Sequence, residues 1–453
     1  MESTKTIGCK IHGYIHISGM ALRIIHTPEF QRLRNIMQLG LCHYVYPAAT
    51  HTRFEHSLGV YHLTCKMTKV LRKKYPDKIY DIPDLGLTKL TEFVAELIKI
   101  AGLCHDLGHG PFSHIFDDML KERDVASNPR IYHETRSCLI VEMICRRELS
   151  DVLTDAHIKF IQSIISPGPQ HRGALYQIVA NYLNGIDVDK FDYLARDPYT
   201  LGFKKGFDPR KIINEIAIDA NDNIAYTKHC SIELYDMFQT RYMMHKQVYN
   251  HKGTKIIESM VRDILEAVDP IFHVFDSIND MGAFCKFTDQ TVFSMIETAV
   301  NPPPHMTINL DLESESNIRL ANQIYQQLTN RTLYKCVAEI SNEGLDYLDK
   351  FLSVLEDKGI QTDRLELIKI QIGYVSSDKK HPFDSIYFYN NKKQDSLNTS
   401  SFIMNKKNIS IIMCENYIET IQLLICKDLD LYATITAAYE QWTRDIREQS
   451  LKV

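Results

Sequence analysis

Residues 103 to 114, LCHDLGHGPFSH, set an adjacent His105-Asp106 pair at the end of an apolar run and follow it with His109 and His114 among Gly108, Gly110 and Pro111. An imidazole nitrogen and a carboxylate oxygen from neighbouring residues suit a borderline divalent cation, and the glycines with Pro111 end a helix and open space beside it. A lone His-Asp dipeptide is common and is usually a solvated surface pair. Here the upstream run Phe93, Val94, Leu97, Ile98, Ala101 repeats at helical spacing, so Leu97, Ala101 and His105 share an inward face. A charge placed there needs a partner.

Two other segments offer partners. His56, in RFEHSLGVYHL, lies in a helical pattern with Phe54, Leu58, Tyr61 and Leu63 and supplies a second imidazole. Asp189, in NGIDVDKFDYLARD, shares a helix face with Tyr193 and Asp197, with Asn184 as the expected N-cap, and supplies a second carboxylate. Two imidazoles and two carboxylates leave room on a hydrolytic metal for a water and a substrate oxygen. His114 has Asp117 three residues on, close enough in a helical turn to orient and charge the ring, which suits a general acid. In ELYDMFQTRYMMHKQVYNHK, Arg241, His245 and Tyr249 fall at i, i+4 and i+8, with Leu234, Met237, Phe238 and Met244 on the packing side. Guanidinium, imidazole and phenol on one stripe suit a phosphorylated ligand with a planar or sugar portion, although an exposed polar helix face explains the stripe as well.

Helical periodicity dominates to about residue 300, with breaks near 76–83, 166–173 and 204–209, and predicts one helical domain over 1–300. Pro302-Pro303-Pro304 separates it from a smaller α+β lobe over 301–453. That lobe should hold a helix over 318–328, strands at Ile368, Ile370 and Ile372, at Ile386 and Phe388, and at 409–413, a loop over 390–401, and a closing pair of helices over 418–446. The fold class expected is mainly α. A chain of 453 residues that is 44% hydrophobic and 24% charged can bury a large core. No apolar run approaches membrane-spanning length, and MESTKTIGCKIHG has no signal-peptide apolar region. Eleven cysteines without a C-x-x-C read as reduced thiols, so an intracellular location, cytoplasmic or nuclear, is expected. A net charge of -5 argues against a nucleic-acid binder.

The stretches FQRLRNIMQLG, RFEHSLGVYHL, AGLCHDLGHGPFSH, NGIDVDKFDYLARD and LYDMFQTRYMMHKQVYNHK, with a fainter RTLYKCVAEI, resemble the HD-domain phosphohydrolase superfamily and, within it, the SAM-and-HD-domain dNTP triphosphohydrolase family. The likeness runs from about Ile11 to about Lys255, and the family's N-terminal SAM domain has no counterpart before His12-Gly13. It implies a helical HD core with a smaller α+β lobe, and one divalent transition metal (Fe, Mn or Zn) on His56, His105, Asp106 and Asp189, with Mg2+ accompanying the triphosphate. It implies further that Arg53, Lys190 and Arg241 hold the triphosphate, that Asp197 contacts the sugar hydroxyl, and that Gln38, Leu39, Tyr193 and Tyr249 frame the deoxyribose beside His245. His109 would contact phosphate oxygens and His133 would support the acid. Products would be deoxynucleoside and inorganic triphosphate. Two alternatives are another HD-type nucleotidase or phosphodiesterase, and a non-catalytic nucleotide- or RNA-binding scaffold, which would tend to lose one of the four ligands.

In the family, nucleotides bound between subunits assemble a tetramer, with a guanine nucleotide in the first site. Gln31 and Arg34 match that site, Val45, Arg331, His251 and Lys252 match parts of the second, and Lys5 is a further candidate. The family's guanine-reading aspartate is His26 here, its bridging asparagine aligns with Gly8, and basic or amide positions become Thr227, His229, Glu233 and Gln247. A homo-oligomer, dimer or tetramer, with altered or absent GTP activation is the expectation.

Overall fold

The computed structural model describes residues 4–123, 128–204, 206–306, 308–341, 346–374, 381–390, 400–411, 413 and 418–450. With 56% helix against 14% strand, the fold is mainly α. The chain forms two units, one from residues 1–241, 273–295 and 379–413, the other from 242–272, 296–378 and 414–453. Residues 242–272, on the first side of the division at residue 300, belong to the second unit, and 379–413, on its far side, belong to the first.

In the first unit the helices Arg53–Lys74 and Glu92–Cys104 form the centre. Phe54, Leu58, Val60, Leu63, Met67 and Leu71 are buried on one, and Val94, Leu97, Ile98, Ala101 and Leu103 on the other. Thr91 caps the second helix by accepting from the Val94 N–H. The helix Val188–Thr200 is capped by Asp187, whose carboxylate accepts from the Lys190 N–H. Asn184, the expected cap, instead closes the preceding turn by accepting from Ile186 N–H. A four-stranded sheet runs Phe402–Ile403, Tyr387–Tyr389, Ile224–Thr227, Ile216–Ile218, with its middle pair parallel and its outer pairs antiparallel. The expected strand at 409–413 is absent: Ile409 to Ile411 and Met413 follow the 3-10 turn Lys406–Asn408 without pairing. Most of the loop expected over 390–401 lies outside the described residues.

In the second unit Ile418–Cys426 is the central strand of an antiparallel sheet between Lys335–Ser341 and Leu365–Gly373. This corrects the expected helix pair over 418–446, of which only the latter part, in Leu429–Ser450, is helical. The reason is two-sided burial. Leu424 packs with Leu348, Phe351 and Trp442 of the helices Tyr347–Asp357 and Leu429–Ser450, whereas Ile421 and Leu423 pack with Ile370 and Ile372. A strand apolar on both faces carries no alternation to distinguish it from a buried helix. The helix Leu312–Thr329 covers the predicted 318–328 and packs on Lys252–Phe272.

Candidate active site

Three helices of the first unit position the metal-ligand candidates. His56 sits in the first turns of Arg53–Lys74, His105 is the C-cap of Glu92–Cys104 with Asp106 just beyond it, and Asp189 is in the first turn of Val188–Thr200. His56 Nε2 lies 3.0 Å from Asp189 Oδ1 and 3.7 Å from Asp106 Oδ2. His105 Nε2 lies 3.3 Å from Asp106 Oδ1 and 3.5 Å from Asp189 Oδ1. Both imidazoles are oriented from behind. His105 Nδ1 meets the Gly102 carbonyl at 2.9 Å, and His56 Nδ1 meets Asp192 Oδ2 at 2.8 Å. Each contact places the Nδ1 proton and leaves Nε2 as the lone pair that faces the carboxylates. His105 Nε2 is buried with no hydrogen-bond partner among the described residues, the mark of an atom that awaits a ligand. Two imidazole nitrogens and two carboxylates converging this way fit a divalent transition metal.

Electrostatics agrees. Burial pushes the His56 imidazole down, but the Asp189 and Asp192 carboxylates outweigh it and lift it to about 10. His105 is raised for the same reason, by Asp106 and Asp189 against burial. Burial would raise Asp106, yet His105 and Arg53 hold it well below the usual carboxylate range. The carboxylates that draw protons onto these nitrogens would draw a cation more strongly. Asp192, missed from sequence, is fully buried; it accepts from Arg196 Nε at 2.7 Å and meets His12 Nε2 at 2.6 Å. Gly59 makes room for it, since a Cβ there would lie 1.9 Å from Asp192 Oδ1. Three residues after Asp189, Asp192 lay in the quoted motif, but nothing in its spacing separated a ligand from the carboxylate behind one.

The other side of Asp106 is built from His109, His114 and His133. His109 Nε2 is 3.4 Å from Asp106 Oδ1, its ring stacks on His133 with centroids 4.0 Å apart, and His114 stands edge-on to it at 5.3 Å. Asp117 does not hydrogen-bond His114 as the sequence suggested. Its carboxylate accepts from His133 Nδ1 at 2.8 Å and from Arg136, a fully buried guanidinium that also donates to the carbonyls of Gly108 and Arg130. The helix His133–Glu148 brings both partners to Asp117, and Gly108 lets it in: a Cβ there would meet the His133 carbonyl at 2.1 Å. Protons distribute unevenly here. Burial lowers His133, but Asp117 raises it further, to a net upward shift. Crowding by protein, then the charges of Arg53 and His133, lowers the solvent-accessible His114 to about 4, and the same influences put His109 well below its usual range. The loop into the helix His114–Glu122 passes through two non-glycine residues at positive φ, Phe112 (60°) and Ser113 (58°), each costing about 1–3 kcal/mol.

Three charged substrate candidates of this unit are already engaged. Arg53 donates to Asp106 and, at 3.0 Å, to Ser113 Oγ, Lys190 pairs with Asp187 at 3.0 Å, and buried Asp197 meets His51 Nε2 at 2.8 Å. His51 carried no sequence signal. Gln38 Oε1 is buried without a partner among the described residues, Leu39 is half-buried beside it, and burial raises the Tyr193 phenol. Arg241 is buried in this unit, while His245 and Tyr249 lie in the other, with rings 4.9 Å apart. They occupy a π-helical turn, His245–Tyr249, so the expected α-helical stripe does not continue through them.

Of the regulatory candidates in the first unit, His26 is exposed at the C-cap of Gly19–Ile25, and Lys5 and Gly8 lie on an exposed hairpin strand. Gln31 donates to the Ile25 carbonyl and accepts from Arg34 Nε, Arg34 covers the Phe54 ring at 3.6 Å, and Val45 is half-buried. Glu233 pairs with Lys211. In the second unit, Lys252 pairs with Glu339 at 3.3 Å, His251 Nδ1 accepts from Gly253 N–H, and Arg331 follows the helix Leu312–Thr329 in the left-handed region at φ 62°. Among the described residues no helix is long and apolar enough to cross a membrane, and none of the described cysteines forms a disulfide.

The HD domain family matches residues 53–197, the span from Arg53 to Asp197 that holds all four candidate ligands. The chain is similar to an HD domain-containing protein of Acanthamoeba polyphaga mimivirus, 48% identical over 432 residues that cover 94% of this chain and 93% of that protein. It is similar to the deoxynucleoside triphosphate triphosphohydrolase SAMHD1 homolog of Dictyostelium discoideum, 32% identical over 97% of this chain and 80% of that one. With deoxynucleoside triphosphate triphosphohydrolase SAMHD1 of Homo sapiens it shares 31% identity over 98% of this chain and 74% of that protein. Such likeness over nearly the whole length, on a helical core that gathers His56, His105, Asp106 and Asp189, means that the chain belongs to the HD-domain phosphohydrolases, in the SAM-and-HD-domain dNTP triphosphohydrolase family.

Proposed function

We propose that this chain converts a dNTP and water into deoxynucleoside and inorganic triphosphate. The observation that carries the reading is the pairing, across Asp106, of an unsatisfied His105 Nε2 among carboxylates with a cluster of three imidazoles, of which His133 is held by the buried carboxylate Asp117. A divalent transition metal held by His56, His105, Asp106 and Asp189 would supply Lewis acidity toward a phosphoryl oxygen and water. The leaving group in this reaction is the nucleoside 5′ oxygen, which needs a proton. Asp117 favours the charged form of His133, which supports the acid. Solvent-accessible His114 delivers the leaving group's proton, because the negative triphosphate favours its protonated imidazole. His109 meets the phosphate oxygens. Arg53, Lys190 and Arg241 supply positive charge to a Mg2+-associated triphosphate. Leu39 closes the space beside the sugar 2′ carbon, Gln38 offers its unpartnered oxygen there, and Asp197 and Tyr193 face the sugar; the assignments of His245 and Tyr249 rest on the family resemblance alone. His26 in place of the guanine-reading aspartate argues for a homo-oligomer whose activation by GTP is altered or absent. Chromatography of products after incubation with each dNTP, with and without GTP, tests the reading. Intact triphosphate with deoxynucleoside is expected, whereas orthophosphate or pyrophosphate would overturn it.

A further inference from the structure

Asp289, from a part of the chain far outside the HD motif, sends its two carboxylate oxygens to two different loops of the first unit. Oδ2 accepts from the Met37 N–H at 2.9 Å, and Oδ1 accepts from the Phe112 N–H at 2.6 Å. Met37 directly precedes Gln38 and Leu39, the residues assigned to the sugar. Phe112 is the first of the two residues at positive φ that lead into His114. A second link joins the same loops. Ser113 Oγ donates to the Met37 carbonyl at 3.2 Å and accepts from Arg53 Nε, so both polar groups of the Met37 backbone are tied to the His114 loop, one directly and one through Asp289. The Phe112 ring, 5.3 Å from Phe293, anchors that loop to the helix Asp289–Val300 that begins at the carboxylate. A backbone held in a sparsely populated conformation persists only where its surroundings over-determine it. A carboxylate is the side chain that can accept from two N–H groups at once, whereas an amide turns one of its two ends into a donor.

We propose that Asp289 is a positioning residue that holds the sugar-facing loop 37–39 and the acid-bearing loop 112–114 in one fixed relation, coupling choice of sugar to placement of the proton donor. This rests on the dNTP triphosphohydrolase reading for its functional half and on hydrogen bonds alone for its structural half. The test is the near-isosteric Asp289→Asn in the full chain, with Asp289→Ala beside it. Hydrogen exchange should quicken at the amides of both Met37 and Phe112 and stay unchanged in the helix Glu92–Cys104. Metal content should equal that of the wild type. With dATP as substrate, kcat should fall by about tenfold or more, since small misplacements of reacting groups are costly, and the ATP to dATP rate ratio should rise by at least about threefold. Faster exchange at one loop or neither, or general loosening that includes Glu92–Cys104, would overturn the clasp. So would faster exchange at both loops with an unchanged sugar ratio. A wild-type protein that hydrolyses no dNTP would refute the proposed function instead, and the exchange measurement would still decide the clasp.

Discussion

The two halves of the site flanking Asp106 use the same side chain for opposite purposes. On one side, two imidazoles, His56 and His105, face Asp106, Asp189 and Asp192. On the other, three imidazoles cluster around a single carboxylate, Asp117, which pairs with His133 and with Arg136. The ratio of carboxylates to rings decides the outcome. Where carboxylates are in excess, histidines gather positive charge, and the geometry leaves Nε2 for a cation. Where rings are in excess and Arg53 adds its charge, only the ring paired to Asp117 is raised toward the charged form, and its neighbours are lowered toward the neutral one. Histidine identity therefore says little by itself; the second group behind each ring assigns its role.

The widest separation between the halves is expected from Asp106→Ala, which removes a ligand from one and the hinge between both. Metal, near one equivalent in the wild type, should be lost with hydrolysis falling by about a thousandfold or more. Elemental analysis alongside product chromatography checks this, and a metal-free yet active enzyme would erase the distinction between the halves.

The acid half should respond differently, keeping its metal while losing chemistry. His114→Ala is expected to lower kcat by about 10² to 10⁴ with metal content and nucleotide binding nearly unchanged. Asp117→Asn sharpens the assignment through pH. His133 is raised above the ordinary histidine value, so it keeps its proton to higher pH than a free histidine and loses it as pH rises through the raised value. Activity that needs this proton should fall on the alkaline side. Removing the charge of Asp117 lets burial dominate, and the alkaline limb should move to lower pH. Loss of metal in either variant, or an alkaline limb that does not move in Asp117→Asn, would return these residues to a structural role.

How much of this was legible beforehand follows the same line. The four candidate ligands stood out because residue type and helical spacing marked inward-facing charge, and the structure brings all four side chains together. The groups behind them did not. Asp192, Arg136, His12 and Asp289 carry no pattern of their own; Asp192 and Arg136 take their places through the close approach of helices that glycines 59 and 108 permit, and His12 and Asp289 come from elements distant in sequence. Asp117 was found but paired with the wrong ring, because the i, i+3 neighbour His114 was visible in sequence and the helix that brings His133 was not. Asn184 was the expected cap, but its side chain closes the preceding turn and Asp187, three residues on, takes the capping role. Ile418–Cys426 was misread because burial on both faces erases the period of two.

A smaller effect is expected from the sugar-facing loop. Leu39→Ala should leave dATP turnover within a few fold and raise ATP turnover by about tenfold, the consequence of relieving a clash worth about 1.4 kcal/mol. Parallel rates for ATP and dATP already in the wild type would mean that Leu39 closes off nothing.

The smallest effect is expected farthest from the metal, at His26. An aspartate accepts from both the N1 and N2 donors of guanine, whereas a neutral imidazole offers one acceptor and a charged one none. The wild-type protein should therefore hydrolyse dATP without guanine nucleotide, and GTP should leave its elution volume unchanged. His26→Asp restores the two acceptors beside Gln31 and Arg34, which already hydrogen-bond each other next to Phe54. That restores recognition at one position only, since Gly8, Glu233 and Gln247 still depart from the family pattern. The expected gain is accordingly modest, about fivefold stimulation by GTP at most, near the lower end of typical coupling between sites. A strict GTP requirement in the wild type, with a GTP-dependent change in assembly size, would show that other residues read the guanine and that His26 is no departure in function.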